Sequence, residues 1–361
     1  MTAADVTARP LRRLGFLTLG TFVEDRPAEG HEETLAMIEL GERLGFDSAW
    51  VRHRHLQHGI SSPIAVLAAA SQRTSRIELG TAVIPLGWEN PLRLAEDLAT
   101  VDVLSGGRLN PGVSVGQPMR YEDVRDFLYP DTAEREDFTY ARVERLLHAV
   151  EGRPVSRFAG RASLVEEFSD HVQPYAPGLR ERMWYGAGSM RSARWAGQHG
   201  LNLLTSSVVK VGAATDPVGP GDPLPNDTFD RIQAAEIREF RAHHPLGETA
   251  RVSQGLVVVP TDSATPEQVA RYRAYAAARL PRTRVPQGPA GLIFAPDLAG
   301  TSAEIAERLQ ASEAFRLVDE VAFALPFDFE PDDYVQILTD IAAGLAPLLG
   351  RRRTGGARAS V

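Results

Sequence analysis

Residues 77–115 read IELGTAVIPLGWENPLRLAEDLATVDVLSGGRLNPGVSV, and this stretch decides the fold. Residues 77–84 are mostly apolar and β-rich, a strand candidate. Asn90 and Pro91 then supply an N-cap and a proline at the first helical position, opening an amphipathic helix over 91–104. Ser105-Gly106-Gly107 ends it, and residues 111–115 form the next strand. One helix between two strands implies parallel pairing through a right-handed crossover. The same alternation runs outward in both directions. Strands are expected at 14–18, 47–51, 182–186, 201–205, 252–259 and 320–327. Helices are expected at 32–44, 63–72, 139–150, 191–199, 228–243, 265–279, 302–310 and 331–349. The strands are near-continuous apolar runs, as in sheets buried on both faces. Eight such strands in one chain predict the α/β class and a single (β/α)8 TIM barrel.

Length bounds the organisation. At about 150 residues per domain, 361 residues suggest two domains, but barrels run longer as one unit, and no linker or repeat divides this chain. The expectation is one domain over 14–350, with a flexible N-terminus at 1–13 and a flexible basic tail at 351–361. The 43% hydrophobic and 24% charged residues exclude a disordered chain. No apolar run approaches the ~18 residues of a membrane helix, and MTAADVTARPLRR carries no secretory apolar region. A soluble, cytoplasmic protein is expected. The net charge of −8 argues against a nucleic-acid surface. The absence of cysteine excludes disulfides, thiolate metal sites, Fe–S clusters and a thiol nucleophile. Lys210 is the only lysine, which leaves P-loop or Schiff-base chemistry almost nothing to work with.

The uneven spacing points to insertions after strands four, six and seven. Residues 116–181, 207–227 and 281–300 are longer than one helix or turn requires. In a barrel, loops after the strand C-termini build the active site, so these excursions, with 116–130 of the first, are the natural lid.

Three clusters could carry chemistry. After strand two come Arg52, His53, Arg54, His55 and His58, where a barrel places catalytic groups. They suit acid–base or anion-binding work, or are surface histidines on a loop. A metal site would need ligands from other strand ends, where none stands in a convincing place, so no metal is expected. Gly186-Ala187-Gly188-Ser189-Met190-Arg191-Ser192 opens a helix and reads either as a phosphate cradle or as a capped helix start. On strand three, Gly80, Thr81 and Ala82 leave room for a flat ligand, while capping alone explains Asn90. Trp88, Met119, Tyr121, Phe127 and Trp184 are candidates to line an apolar substrate pocket, or are plain core.

Taken together, these segments resemble the bacterial luciferase-like flavin-dependent monooxygenase family. The resemblance runs through GFDSAWV (45–51), RIELGTAVIPL (76–86), NPLRLAEDLATVDVLSGGRL (90–109), GAGS (186–189), RSARWAGQHG (191–200) and GTSAEIAERL (300–309). It implies a barrel that binds reduced FMN at the strand C-termini. The phosphate would meet Gly188, Ser189 and Ser192, and the ring would lie over strand three at a non-proline cis peptide, Ala82–Val83. Asn90 would sit near the ring's polar edge and Ser114 beside the flavin. The resemblance also implies O2 as cosubstrate and a flavin 4a-hydroperoxide that transfers one oxygen to a small organic substrate. Its FMNH2 would come from a separate NAD(P)H:flavin reductase, and the protein would be a homodimer through helices two and three. His55 is the expected proton shuttle, with Arg54 and His53 stabilising anions. Trp88, Met119, Tyr121 and Trp184 are the expected substrate contacts.

Two positions depart from the family pattern. Many members have Glu-His-His after the strand-two Trp; here it is His53-Arg54-His55, and an arginine cannot act as a base at neutral pH. Val115 stands where luciferase has a phosphate-contacting arginine, a role that Arg282 or Arg284 would take over. The alternatives are a deazaflavin-coenzyme-dependent oxidoreductase on the same fold and a non-catalytic flavin-binding protein.

Overall fold

The computed structural model describes residues 9–212, 223–288, 290–327 and 329–351. Six barrel strands are single pieces: Arg13–Thr18 (β1), Ser48–Val51 (β2), Trp184–Ala187 (β5), Asn202–Thr205 (β6), Val252–Gln254 (β7) and Glu320–Ala324 (β8). Strand β3 comes in two pieces, Glu78–Thr81 and Ile84–Pro85, and so does β4, Leu109–Asn110 and Gly112–Ser114. All neighbours pair in parallel, and β8 pairs with β1. The two ends of the ten-stranded sheet are the second piece of β3 and the first piece of β4. Leu79 pairs with Leu109 and Ile84 with Val113, so these ends meet their own continuations and the sheet closes. This is the (β/α)8 barrel that the alternation predicts.

Among the described residues, each barrel strand is followed in the chain by a main helix: Pro27–Leu44 (α1), Pro63–Arg73 (α2), Pro91–Ser105 (α3), Tyr140–Val150 (α4), Met190–Gln198 (α5), Thr228–His243 (α6), Ser302–Ala311 (α7) and Pro331–Asp340 (α8). Local chemistry sets their ends. The Asn90 Oδ1 accepts the Leu92 and Arg93 N–H groups at 3.0 and 3.3 Å, and Gly106 closes α3 at φ 69°. Arg108 then donates to the Ser71, Thr74 and Ile77 carbonyls, each at 2.9 Å, tying the end of α2 to β4.

The barrel floor is aromatic. Trp50 and Trp184 meet edge to face, centroids 5.3 Å apart. Their indole N–H groups donate to the Ser48 Oγ at 2.9 Å and the Asn110 Oδ1 at 3.0 Å. A Cβ at residue 80 would lie 2.2 Å from the Trp50 ring, so the close approach of β3 to β2 requires Gly80. Arg251 stacks on Trp184 at 4.6 Å and donates to Glu320 and Glu78 beneath it. Trp184 is therefore core; the expectation that it contacts substrate is corrected, because its one polar atom is spent on Asn110 inside the barrel.

The domain edges also shift. Leu11 is buried and its N–H donates to the Leu349 carbonyl at 2.9 Å, so the ordered fold starts before residue 14. Arg351 bonds Asp47 and the Gly45 carbonyl, both at 2.5 Å, and so belongs to the body of the domain. Residues 1–8 and 352–361 lie outside the described residues. The run 252–259 is two strands, because the ladder breaks after Gln254, bridges β8 once more at Val257 and Ala324, and Val258–Pro260 then pairs with Leu298–Gly300. The second and third excursions meet each other: Val208–Lys210 pairs antiparallel with Leu292–Phe294. Residues 213–222 of the second lie outside the described residues. Among the described residues, no helix is long and apolar enough to cross a membrane.

Replacing Trp184 by Ala should lower unfolding stability by about 3–5 kcal/mol, the cost of emptying a large aromatic site. Urea titration followed by far-UV circular dichroism measures it; an unchanged midpoint would show that the floor carries no load.

Candidate active site

The strand C-termini open into one cavity of about 860 Å³, well inside the roughly 300–1,000 Å³ range of small-molecule sites. One wall is built of small residues: Ala82, Ser114, Gly186, Ala187 and Gly188. The Ala82–Val83 peptide of this wall is cis. Gly186 keeps the wall flat, since a Cβ there would stand 2.8 Å from the Val83 side chain. The lid comes from the excursions. Met119 and Val124 lie on or next to the helix Tyr121–Leu128, and Val208 and Leu292 come from the paired second and third insertions.

Next to the Ala82 end of the wall, on the strand paired with β3, stands the segment after β2. His53 is buried, and its Nε2 lies 3.0 Å from the Ser61 carbonyl. A carbonyl only accepts, so Nε2 carries the hydrogen and Nδ1 presents a lone pair. That Nδ1 is buried without a partner among the described residues, and so is the His55 Nε2. His55 stacks on Trp88 with centroids 3.9 Å apart and planes 11° from parallel, and its ring lies 4.3 Å from that of His53. Burial, then the neighbouring His55, holds His53 down to about 4, and burial also lowers His55. Both imidazoles are neutral at neutral pH. Arg52 is held down to about 10 by burial and by Arg54 beside it.

The fold adds a residue that the sequence reading passed over. Glu89, just past β3, brings its carboxylate to within 4.8 Å of the donor atoms of His53 and His55. Burial, then Asp97, raises its carboxyl to about 7. The available signal was position: a barrel sets the end of β3 beside the end of β2. The three donors suit a divalent cation in type, which corrects the view that no other strand end supplies a ligand. The neighbouring Arg52 and Arg54 work against a cation there.

Of the expected site residues, the structure brings His53, Arg54, His55, Ala82, Val83, Trp88, Ser114, Met119 and Gly188 to this cavity. Others are elsewhere. Asn90 caps α3 and faces a separate cavity of about 500 Å³ with Tyr129 and Arg142. Ser189 and Ser192 serve each other in a capping box: the Ser189 Oγ accepts the Ser192 N–H, and the Ser192 Oγ accepts the Gly188 and Ser189 N–H groups. Tyr121 is buried and donates to the Ala133 carbonyl at 2.8 Å, while Phe127 is 93% exposed. Arg282 pairs with Asp297 and Arg284 donates to the Leu224 carbonyl, so neither lines the cavity. Arg52, from the cluster after strand two, also lines it, and the unforeseen contributors are Arg120, Lys210, Thr205 and Ser253. The Thr205 and Ser253 hydroxyls are buried without partners among the described residues.

The raised Glu89 carboxyl makes a pH prediction. Between its ordinary value of 4.5 and about 7, the folded chain holds a proton that the unfolded chain releases. That contribution is full below 4.5 and lost as pH rises through 7. Melting temperatures of the wild type and Glu89→Gln, measured from pH 5 to 8, should show the wild type losing ground to the variant as pH rises. A constant difference would mean that Glu89 titrates normally.

Residues 13–216, more than half of the chain, match the family model described as luciferase-like monooxygenase. The limonene 1,2-monooxygenase of Rhodococcus erythropolis is 29% identical over 189 residues, 52% of this chain and 46% of that protein. The F420-dependent glucose-6-phosphate dehydrogenase of Amycolatopsis mediterranei is 27% identical over 200 residues, 53% of this chain and 58% of that one. The chain thus spans about half the length of the curated relatives it matches. The oxygenating constituent of 3,6-diketocamphane monooxygenase of Pseudomonas putida, solved in complex with FMN, superimposes with a TM-score of 0.61 at 14% identity, covering 93% of this chain and 98% of that one. The match to the family model, on a closed barrel with one cavity at its strand C-termini, makes this chain a member of the luciferase-like monooxygenase family.

Proposed function

We propose that this chain is an FMN-dependent monooxygenase that uses reduced FMN and O2 to place one oxygen atom in a small organic substrate. The observation that carries the reading is the cavity itself, in which a wall of small residues at the Ala82–Val83 cis peptide shares the lining with the buried His53 and the half-buried His55. The residues present fit the cofactor. The wall is flat enough for a planar ring, a Cβ at Gly188 would meet nothing within 4 Å, and the orphaned Thr205 and Ser253 hydroxyls await polar partners. Ala82, Val83 and Ser114 would back the ring, and the open space over Gly188 at the start of α5 would admit the phosphate, with the Gly188 N–H turning from the Ser192 Oγ to meet it. Bound reduced FMN supplies the electrons that activate O2.

The chain's own residues do the rest. His55, neutral and clamped by Trp88, accepts or returns a proton at Nε2. His53 offers the Nδ1 lone pair beside it. Trp88 and the three insertions keep bulk water from the wall. Reduced FMN would come from a separate NAD(P)H:flavin reductase in the cytoplasm. The exposed Leu92, Val103 and Leu104 of α3 suit a homodimer through α2 and α3.

The F420-dependent relative supports a second reading on the same cavity, hydride transfer with a deazaflavin coenzyme. Anaerobic titration with FMNH2 and, separately, with reduced deazaflavin coenzyme, each followed by an oxygen pulse in a stopped-flow spectrometer, separates the two. Tight FMNH2 binding with an oxygen-dependent absorbance transient is expected. Deazaflavin binding without oxygen reactivity would establish the second reading. Flavin binding without substrate-dependent oxygen consumption would leave a flavin-binding protein. His55→Ala should cut turnover by about 10²–10⁴-fold, the range of general acid–base catalysis, with flavin affinity intact. Equal loss of both would reassign His55 to binding.

A further inference from the structure

The chain is acidic, with a net charge of −8, yet the cavity is not. Arg52, Arg54, Arg120 and Lys210 line it against a single carboxylate, Asp123, which Arg120 holds at 2.7 Å. That leaves Arg52 and Arg54 facing the cavity with no carboxylate or other side-chain partner among the described residues. Two like-charged guanidinium groups in the lining of one cavity, one of them largely desolvated, repel each other and lack hydration. Such an arrangement persists where a ligand supplies the missing negative charge. The planar donor fork of arginine matches the two oxygens of a carboxylate or sulfonate. Nearby, Trp88, Met119, Val124 and Leu292 offer apolar surface.

We propose that the cavity selects an organic oxyanion, a carboxylate or sulfonate on an apolar body, gripped by Arg52 and Arg54. This rests on the reading of the cavity as the flavin and substrate site, and it names the substrate class. The flavin phosphate is the other possible source of the same chemistry, but position separates the two. Gly188 follows β5, while Arg52 and Arg54 follow β2, three strands away round the barrel. An anion at the arginine pair is thus a second anion, and its apolar body lies under the lid, beside His55.

The test uses the whole chain, without flavin and anaerobically loaded with FMNH2. Isothermal titration with decanoate, decanesulfonate and benzoate is compared with their neutral counterparts decanol and benzyl alcohol. At least one acid should bind about 10- to 100-fold more tightly than its neutral partner, the value of a charge-assisted hydrogen-bonded contact. Arg52→Met and Arg54→Met should each erase that preference, and Arg52→Lys should restore part of it. FMN and riboflavin affinities should stay within about twofold in all three variants. A wild type with no preference for any acid overturns the proposal without recourse to variants. So does a loss of FMN binding with riboflavin binding retained, which would assign the arginines to the flavin phosphate. Failure of every flavin to bind would sink the functional reading but leave the acid-against-alcohol comparison standing, so the two failures are distinguishable.

Discussion

Leu79 beside Leu109 and Ile84 beside Val113 hold the seam between β3 and β4, and everything at the mouth of the barrel depends on that seam. An open sheet would expose two edges and spread its strand ends along a line. Closure brings the ends of all eight strands to one rim, where their loops converge. Each seam strand is split, and the split in β3 is the place where Ala82 and Val83 turn to the cavity.

Burial, more than any single ion pair, sets the chemistry at that rim. It keeps His53 and His55 neutral, raises Glu89 and lowers Arg52. These shifts have one cause with opposite signs for acids and bases: the charged form loses hydration. The cavity therefore holds neutral proton carriers next to permanently charged arginines. Aromatic rings divide the work by depth. Trp50 and Trp184 seal the floor with their N–H groups satisfied inside, while Trp88 sits at the mouth and fixes the plane of His55.

Helix boundaries were legible because capping is local. Asn90, Pro91 and Gly106 bound α3 within a residue of the reading from sequence, and Thr265 and Pro266 do the same for the helix Pro266–Arg279. Strand breaks were less so: apolar runs such as 252–259 look the same whether they stay in the barrel or leave it. The segment 186–192 supported two meanings, because a Gly-Ser helix start can bind an anion or cap itself. Only coordinates show the Ser189 and Ser192 hydroxyls turned to each other. The distinction between Trp88 at the mouth and Trp184 in the floor was equally hidden, since composition does not say at which end of a strand a ring lies.

The sequence by itself determined the barrel, the family and the edge on which the site stands, because alternation, capping residues and motif order are properties of neighbours along the chain. The tertiary structure decided which side chains meet. Glu89 joins His53 and His55 across 34 residues of chain, the lid forms where Val208–Lys210 meets Leu292–Phe294, and Arg52 and Arg54 are left without a counter-charge among the described residues. Such meetings depend on the stagger and closure of the sheet, long-range geometry that no local pattern encodes.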